Sequence, residues 1–138
     1  MRIWHKDLIP VLPRQQLLGQ WRECCAIAKS IAEDGTPNHV LVNKVIEYPI
    51  DHLFRYADCI YAEMNRRGYR PDWVRFVNLI RFNRKEHFEQ INDNELFAGW
   101  HNKRYLHQCL SNLQEKHDCG AIPEEEWDKI TDQYPEWK

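Results

Sequence analysis

Gln15-Gln16-Leu17-Leu18-Gly19-Gln20-Trp21-Arg22-Glu23 is the stretch on which the reading of this chain turns. Leu17 and Trp21 stand four residues apart, a spacing that stacks two side chains on one face of an α-helix. Cys24, Ala28 and Ile31 continue the stripe at three- and four-residue steps, the period of a helix buried along one side. The pattern predicts a helix from Arg14 to Ala32, with Pro13 suited to its start and Gly35 just past its end. Glu23 is rotated well away from the stripe, beside the side on which Gln16 and Gln20 stack. A carboxylate is thereby held on a rigid element about twenty residues from the N-terminal Met1-Arg2-Ile3.

Three further helices follow. Leu53, Tyr56, Ile60 and Met64 mark a second, from Pro49 to Arg67, which ends in Arg66-Arg67-Gly68: basic residues for the negative helix end, then a glycine. A third is expected from Phe97 to Lys116, with Trp100, Tyr105, Cys109 and Leu113 turned inward. Pro123 followed by Glu124, Glu125 and Glu126 opens a short fourth, the acids suiting its positive end. Between the first two, Thr36-Pro37-Asn38 is a loop, and Leu41, Val42, Val45 and Ile46 read as a short strand or an extended buried connection. Residues 71–96 are ambiguous: Trp73 to Val77, Leu79 and Ile80 supply core, whereas Asn83 to Glu95 is polar. A chain of 138 residues suits one mostly helical domain with one core.

Composition narrows the class. The chain is 43% apolar and 29% charged, with a mean hydropathy of −0.74. It lacks the roughly 18-residue apolar run a membrane helix requires, and no apolar core of a signal peptide precedes Pro10 and Pro13. A cytoplasmic protein is the expectation. Five cysteines, an odd count with no Cys-x-x-Cys pair, are expected to remain thiols. None of the seven histidines stands at zinc-finger spacing from a cysteine, so no metal site is expected. Net charge is −2, but it is unevenly spread: residues 1–110 carry 16 Lys/Arg against 13 Asp/Glu, and residues 111–138 carry 3 against 8. A mildly basic body is masked by an acidic C-terminal segment.

Three patches and a weaker echo resemble the phage-type pyrimidine-dimer DNA glycosylases of the endonuclease V type. Met1-Arg2-Ile3 looks like that family's mature Thr-Arg-Ile start. Gln15 to Glu23 is similar to its Gln-His-Leu-Met-Ala-Glu-Tyr-Arg-Glu, and Glu63-Met64-Asn65-Arg66-Arg67-Gly68-Tyr69 to its Glu-Cys-Leu-Lys-Arg-Gly-Phe helix end. Phe97-Ala98-Gly99-Trp100 echoes its Phe-Arg-Gly-Asp-Tyr. The resemblance implies an all-α, single compact domain of about three main helices with the N-terminal segment packed between them, for which Ile3, Trp4, Leu8 and Ile9 are apolar enough.

It also implies a DNA repair glycosylase with abasic-site lyase activity, acting on damaged double-stranded DNA as a monomer without metal or organic cofactor. Its nucleophile would be the N-terminal α-amine, a group that ordinarily titrates at about 7.7–8.0 and so is partly free at neutral pH. Arg2 is too large to allow ordinary removal of the initiator methionine, which assigns the amine to Met1. Glu23 would be the carboxylate that steadies positive charge on the sugar. Arg2 and Arg22 would hold phosphates, and Gln15, Gln16 and Gln20 would meet base edges. Arg66, Arg67, Arg70, Arg81, Arg84 and Lys85 would extend the footprint on the backbone. The chain departs from the family at Gln16, which replaces a histidine, and at Trp4, which replaces a polar residue. Two other readings fit the sequence: a non-catalytic nucleic-acid or nucleotide binder on the same fold, and a small helical interaction domain using the acidic C-terminus.

Overall fold

The structure, a computed structural model, describes residues 1–81 and 87–138. Five α-helices form its main elements among the described residues: α1 (Arg14–Asp34), α2 (Ile50–Arg66), α3 (Trp73–Arg81), α4 (Lys103–Asp118) and α5 (Glu124–Gln133). The fold is all-α and compact, and α1 packs against both α2 and α3. The predicted stripes are buried: Leu17, Trp21, Cys24 and Ala28 on α1, and Leu53, Tyr56, Ile60 and Met64 on α2. On α4, Tyr105, Cys109 and Leu113 are buried as expected. Gly35 closes α1 at φ 76°, a left-handed value that glycine takes without steric cost, and its N–H bonds to Ile31 O at 2.8 Å.

Two expectations need correction, and one ambiguity is resolved. The helix predicted from Phe97 begins at Lys103 instead. Phe97 and Gly99 sit at φ 51° and 89°, so residues 97–100 form a turn, which the Tyr48 hydroxyl holds by donating to Ala98 O (2.6 Å) and accepting from Trp100 N (3.1 Å). Asn102 then caps α4, its side chain accepting from Tyr105 N at 2.9 Å. Residues 39–47 are neither strand nor extended connection, but a turn leading into a 3₁₀ helix over Asn43–Glu47. Val42 and Val45, three apart, are buried, while Leu41 and Ile46 are about half exposed. The ambiguous stretch contains α3, which buries Phe76 and Ile80 and leaves Val74 in solvent.

Two aromatic clusters fill the spaces between helices. Trp21, Tyr61, Trp73 and Phe76 meet at ring separations of 5.0–6.2 Å where α1, α2 and α3 converge. A second cluster gathers Tyr48, His52, Phe97, Trp100, His101 and Tyr105 at the start of α4.

The acidic C-terminal segment is part of this packing. Trp127 and Ile130 of α5 are buried, and Glu126 accepts from Arg14 N at 2.7 Å, serving one of the N–H groups left unpaired at the start of α1.

Candidate active site

The first four residues run between α1, α2 and α4, as the resemblance implied. Ile3 and Trp4 are buried, and their backbone groups need partners there. Tyr56 of α2 donates from its hydroxyl to Trp4 O at 2.7 Å, and the hydroxyl of Tyr105 on α4 donates to Ile3 O. From α1, Gln20 supplies the rest. Its Nε2 donates to Arg2 O at 2.8 Å, and its Oε1 accepts from Trp4 N at 2.8 Å.

Gln20 is therefore not an exposed reader of base edges. It is 1% exposed, and the sequence reading that grouped it with Gln15 and Gln16 is corrected. A glutamine amide carries two donor hydrogens and an oxygen that accepts twice. The second hydrogen goes to Glu23 Oε2 at 3.1 Å, and the oxygen also lies 2.9 Å from the Tyr56 hydroxyl, whose single hydrogen it shares with Trp4 O. The two backbone groups fix which way the amide points, since Trp4 offers a donor and Arg2 an acceptor. The same carboxylate oxygen of Glu23 also lies 3.4 Å from Arg2 N. One buried side chain thus ties the N-terminal strand to the α1 carboxylate.

Above this floor is a pocket of about 280 Å³ lined by Met1, Arg2, Gln15, Gln16, Gln20 and Glu23, with Trp4, Gly19, Leu41, Asn112 and Lys116 completing its wall. Of the seven residues that the sequence reading assigns to the amine, the carboxylate, the adjacent phosphates and the base edges, six meet here, on a fold where they come from two separate segments. Met1 is 44% exposed at the rim. Glu23 is half-buried and Gln15 exposed. Gln16 keeps its Oε1 buried without a hydrogen-bond partner among the described residues, an acceptor that a bound molecule can use.

The arginines separate. Arg2 is half-buried, its guanidinium 3.8 Å from Cys109 Sγ and 5.6 and 5.9 Å from the ring centres of Trp4 and Tyr105. Arg22, the seventh, is exposed outside the pocket wall and folds back over Gly19, where a β-carbon would lie 3.8 Å from its terminal nitrogen. Arg67, expected in a backbone footprint, is occupied within the fold: it bonds Glu63 at 2.8 Å and the carbonyls of Leu12 and Pro10 at 2.8 and 3.2 Å. Arg66 pairs with the same buried Glu63. Arg84 and Lys85 lie outside the described residues.

Lys116, Asn112 and Leu41 were missed by the sequence reading. Lys116 and Asn112 stand four apart on α4, a spacing visible in the sequence, but nothing local says that this face of α4 meets the N-terminus. Burial raises the Cys109 thiol and the Tyr105 hydroxyl above their ordinary ranges, so both stay protonated at neutral pH beside Arg2.

No curated protein and no solved structure matches the chain. A family model described as pyrimidine dimer DNA glycosylase matches residues 1–74, more than half of the chain and the part that contains Met1, the Gln15–Glu23 face and Tyr56. The chain belongs to the pyrimidine dimer DNA glycosylase family.

Proposed function

We propose that this protein excises a damaged pyrimidine from double-stranded DNA through an imine formed by the α-amine of Met1, and then cleaves the strand as a lyase. One observation carries the reading: Gln20 bridges Arg2 O and Glu23 Oε2, so the N-terminal strand is pinned against a carboxylate at the edge of a pocket. Arg2 N is 3.4 Å from Glu23 Oε2. Covalent geometry places the preceding backbone nitrogen less than about 4 Å from Arg2 N, which keeps the Met1 amine within roughly 7 Å of the carboxylate.

The chemistry is balanced as follows. The neutral amine attacks C1′ of the damaged nucleotide, forming a C–N bond. The glycosidic bond breaks, and the base leaves with its electron pair and takes up a proton. Opening of the sugar ring breaks the C1′–O4′ bond; the two protons lost from nitrogen balance those gained by the departing base and by O4′, and the imine remains. Removal of a C2′ proton then expels the 3′ phosphate. Glu23 stabilises the positive charge that builds on the sugar as the base departs, and it receives and returns protons in the elimination. Arg2 and Arg22 hold flanking phosphates, and Gln15 and Gln16 offer amides to the extruded base.

The test is borohydride reduction during reaction with duplexes containing a pyrimidine dimer or an abasic site. Reduction is expected to trap DNA on the N-terminal peptide, in protein whose Met1 amine is verified free by mass spectrometry. A cross-link on an internal lysine such as Lys6 or Lys116 overturns the assignment to Met1. No cross-link with either duplex overturns the catalytic reading and leaves a binding protein on this fold.

A further inference from the structure

The turn between α1 and the 3₁₀ helix displays two large apolar side chains: Val40 is 84% exposed and Leu41 49%. Isolated exposed aliphatics are ordinary, but this pair sits on a braced support. His39 O accepts from Val42 N at 3.0 Å and from Asn43 N at 2.8 Å, and Asn43 Oδ1 accepts back from His39 N at 2.9 Å. The Thr36 hydroxyl donates to the same Asn43 oxygen at 3.3 Å, and Val42, fully buried, anchors the turn from below. The hydrogen-bonded turn holds the tip outward.

Its position relates it to the site. Leu41 forms part of the wall shared with Met1 and Glu23. On the other side, Val40 and Leu41 border an open cavity of about 650 Å³, together with Trp100, Tyr105, Lys44 and Arg104. One carboxylate, Glu47, also lines that cavity. Two apolar side chains on a braced tip, next to two cations and continuous with the pocket, suit the chemistry of a duplex, whose apolar base faces lie between two anionic phosphate strands. Proteins that distort duplexes insert apolar side chains of this kind between stacked bases.

We propose that the Val40–Leu41 tip is a wedge that enters the base stack of duplex DNA beside the nucleotide taken into the pocket. This rests on the nucleic-acid reading above. The wedge props the stack open while Lys44 and Arg104 meet the displaced backbone, so the pocket receives a nucleotide already out of the helix. A single strand, having no stack to open, has no need of the wedge.

The experiment uses the full chain and two readouts. In the first, 2-aminopurine is placed beside a tetrahydrofuran abasic analogue in a duplex. Binding by the wild type is expected to brighten its fluorescence as stacking is lost, and Val40→Ser with Leu41→Ser is expected to abolish the rise. In the second, borohydride trapping is timed on abasic duplex and abasic single strand. The double serine variant is expected to lower the duplex-to-single-strand rate ratio about tenfold, and Val40→Ile with Leu41→Met to bring it back within about twofold. An unchanged ratio means that the tip only lines the pocket and overturns the proposal, as does a wild type that never brightens the probe. If the probe brightens but nothing is trapped on either substrate, the wedge stands and the imine chemistry is what fails.

Discussion

The amide of Gln20 and the hydroxyl of Tyr56 meet 2.9 Å apart beneath the N-terminal strand, beside the three bonds Gln20 makes to Trp4 N, Arg2 O and Glu23 Oε2. Tyr56 has one hydrogen and two oxygens in reach, Trp4 O and Gln20 Oε1, so it braces strand and amide together. The strand is held by side chains from three helices, with no paired strand beside it among the described residues. That arrangement gives Trp4 N–H and the carbonyls of Arg2, Ile3 and Trp4 side-chain partners inside an all-helical core.

Removing the amide breaks this arrangement from the centre. Gln20→Leu fills a similar volume but strands Trp4 N–H and Arg2 C=O, each at about 1–3 kcal/mol when buried and unpaired. Tyr56→Phe strands a single backbone group, Trp4 C=O, and is expected to cost about half as much as the leucine variant. Urea unfolding of the two variants checks the order. A leucine variant as stable as the wild type would mean that the strand finds other partners.

Glu23 behaves differently, because it is half-buried and its two bonds are accepted by one oxygen. Glu23→Gln keeps an acceptor in that place and removes only the charge. Stability is expected to stay within about 0.5 kcal/mol, while the rate of base excision falls about 10²–10³-fold, the scale of a lost electrostatic group. Single-turnover kinetics on a pyrimidine-dimer duplex provides the measurement. Full activity in the variant would remove Glu23 from the mechanism.

What could be read in advance follows from how local each signal is. Helical stripes such as Leu53-Tyr56-Ile60-Met64 depend only on neighbours along the chain, and α2 begins and ends within one residue of its expected bounds. The start of α4 was misread because Phe97 and Trp100 are apolar at helical spacing, while the turn that separates them from the helix depends on Tyr48, about fifty residues earlier. Gln20 looked like any solvated glutamine, since its burial is created by a distant strand crossing its face. The acids of α5 hid Trp127 and Ile130, which fix that helix to the core. The candidate pocket was legible to the extent that family resemblance, not periodicity, linked Met1 to Glu23.

Glu63 and Arg67 make a second prediction about stability. Glu63 is 6% exposed, and Arg67 neutralises it while capping the carbonyls of Leu12 and Pro10. Burial lowers the Arg67 pKa from its ordinary value, as expected for a cation drawn out of water. Arg67→Met leaves the carboxylate with only Arg66, whose side chain is 64% exposed, and is expected to cost about 3 kcal/mol. Chemical denaturation would show it. A loss below about 1 kcal/mol would mean that Arg66 alone suffices.

Acid should destabilise the fold through three histidines. His5, His52 and His101 are buried, and each accepts a backbone N–H at Nδ1, from Asp7 (3.1 Å), Phe97 (3.0 Å) and Lys6 (3.0 Å) respectively. Protonation would turn each acceptor into a donor. Burial lowers all three pKa values, that of His101 to about 2. In the unfolded chain each binds a proton near the ordinary value of about 6.5. Stability is therefore complete above that pH and drains away as the pH falls below it, because the unfolded state takes up protons that the folded state refuses. The slope contributed by His101 approaches about 1.4 kcal/mol per pH unit. His101→Asn retains an acceptor and removes the proton site, so its stability should vary less between pH 6.5 and 4. Parallel curves for variant and wild type would rule out this source.

DNA affinity should rest on few cations, since residues 1–110 carry a charge excess of only three and the structure engages several of those cations internally. Arg22 is exposed beside the pocket and free of the packing that holds Arg2 against Trp4 and Tyr105. Each phosphate contact contributes about −0.9 to the slope of log affinity against log salt on duplex DNA. Arg22→Ala should flatten that slope by about one unit and weaken damaged and undamaged duplexes alike, without loss of stability. The acidic segment needs a gentler probe than deletion, which would uncover the core that Trp127 and Ile130 close. Glu124→Gln with Glu125→Gln and Asp128→Asn removes exposed charge and leaves Glu126 bonded to Arg14 N. If α5 only repels DNA, this variant binds more tightly at low salt and converges with the wild type at high salt. Weaker binding by the triple variant, together with an unchanged slope for Arg22→Ala, would place the DNA on the α5 face instead of the Met1–Glu23 face.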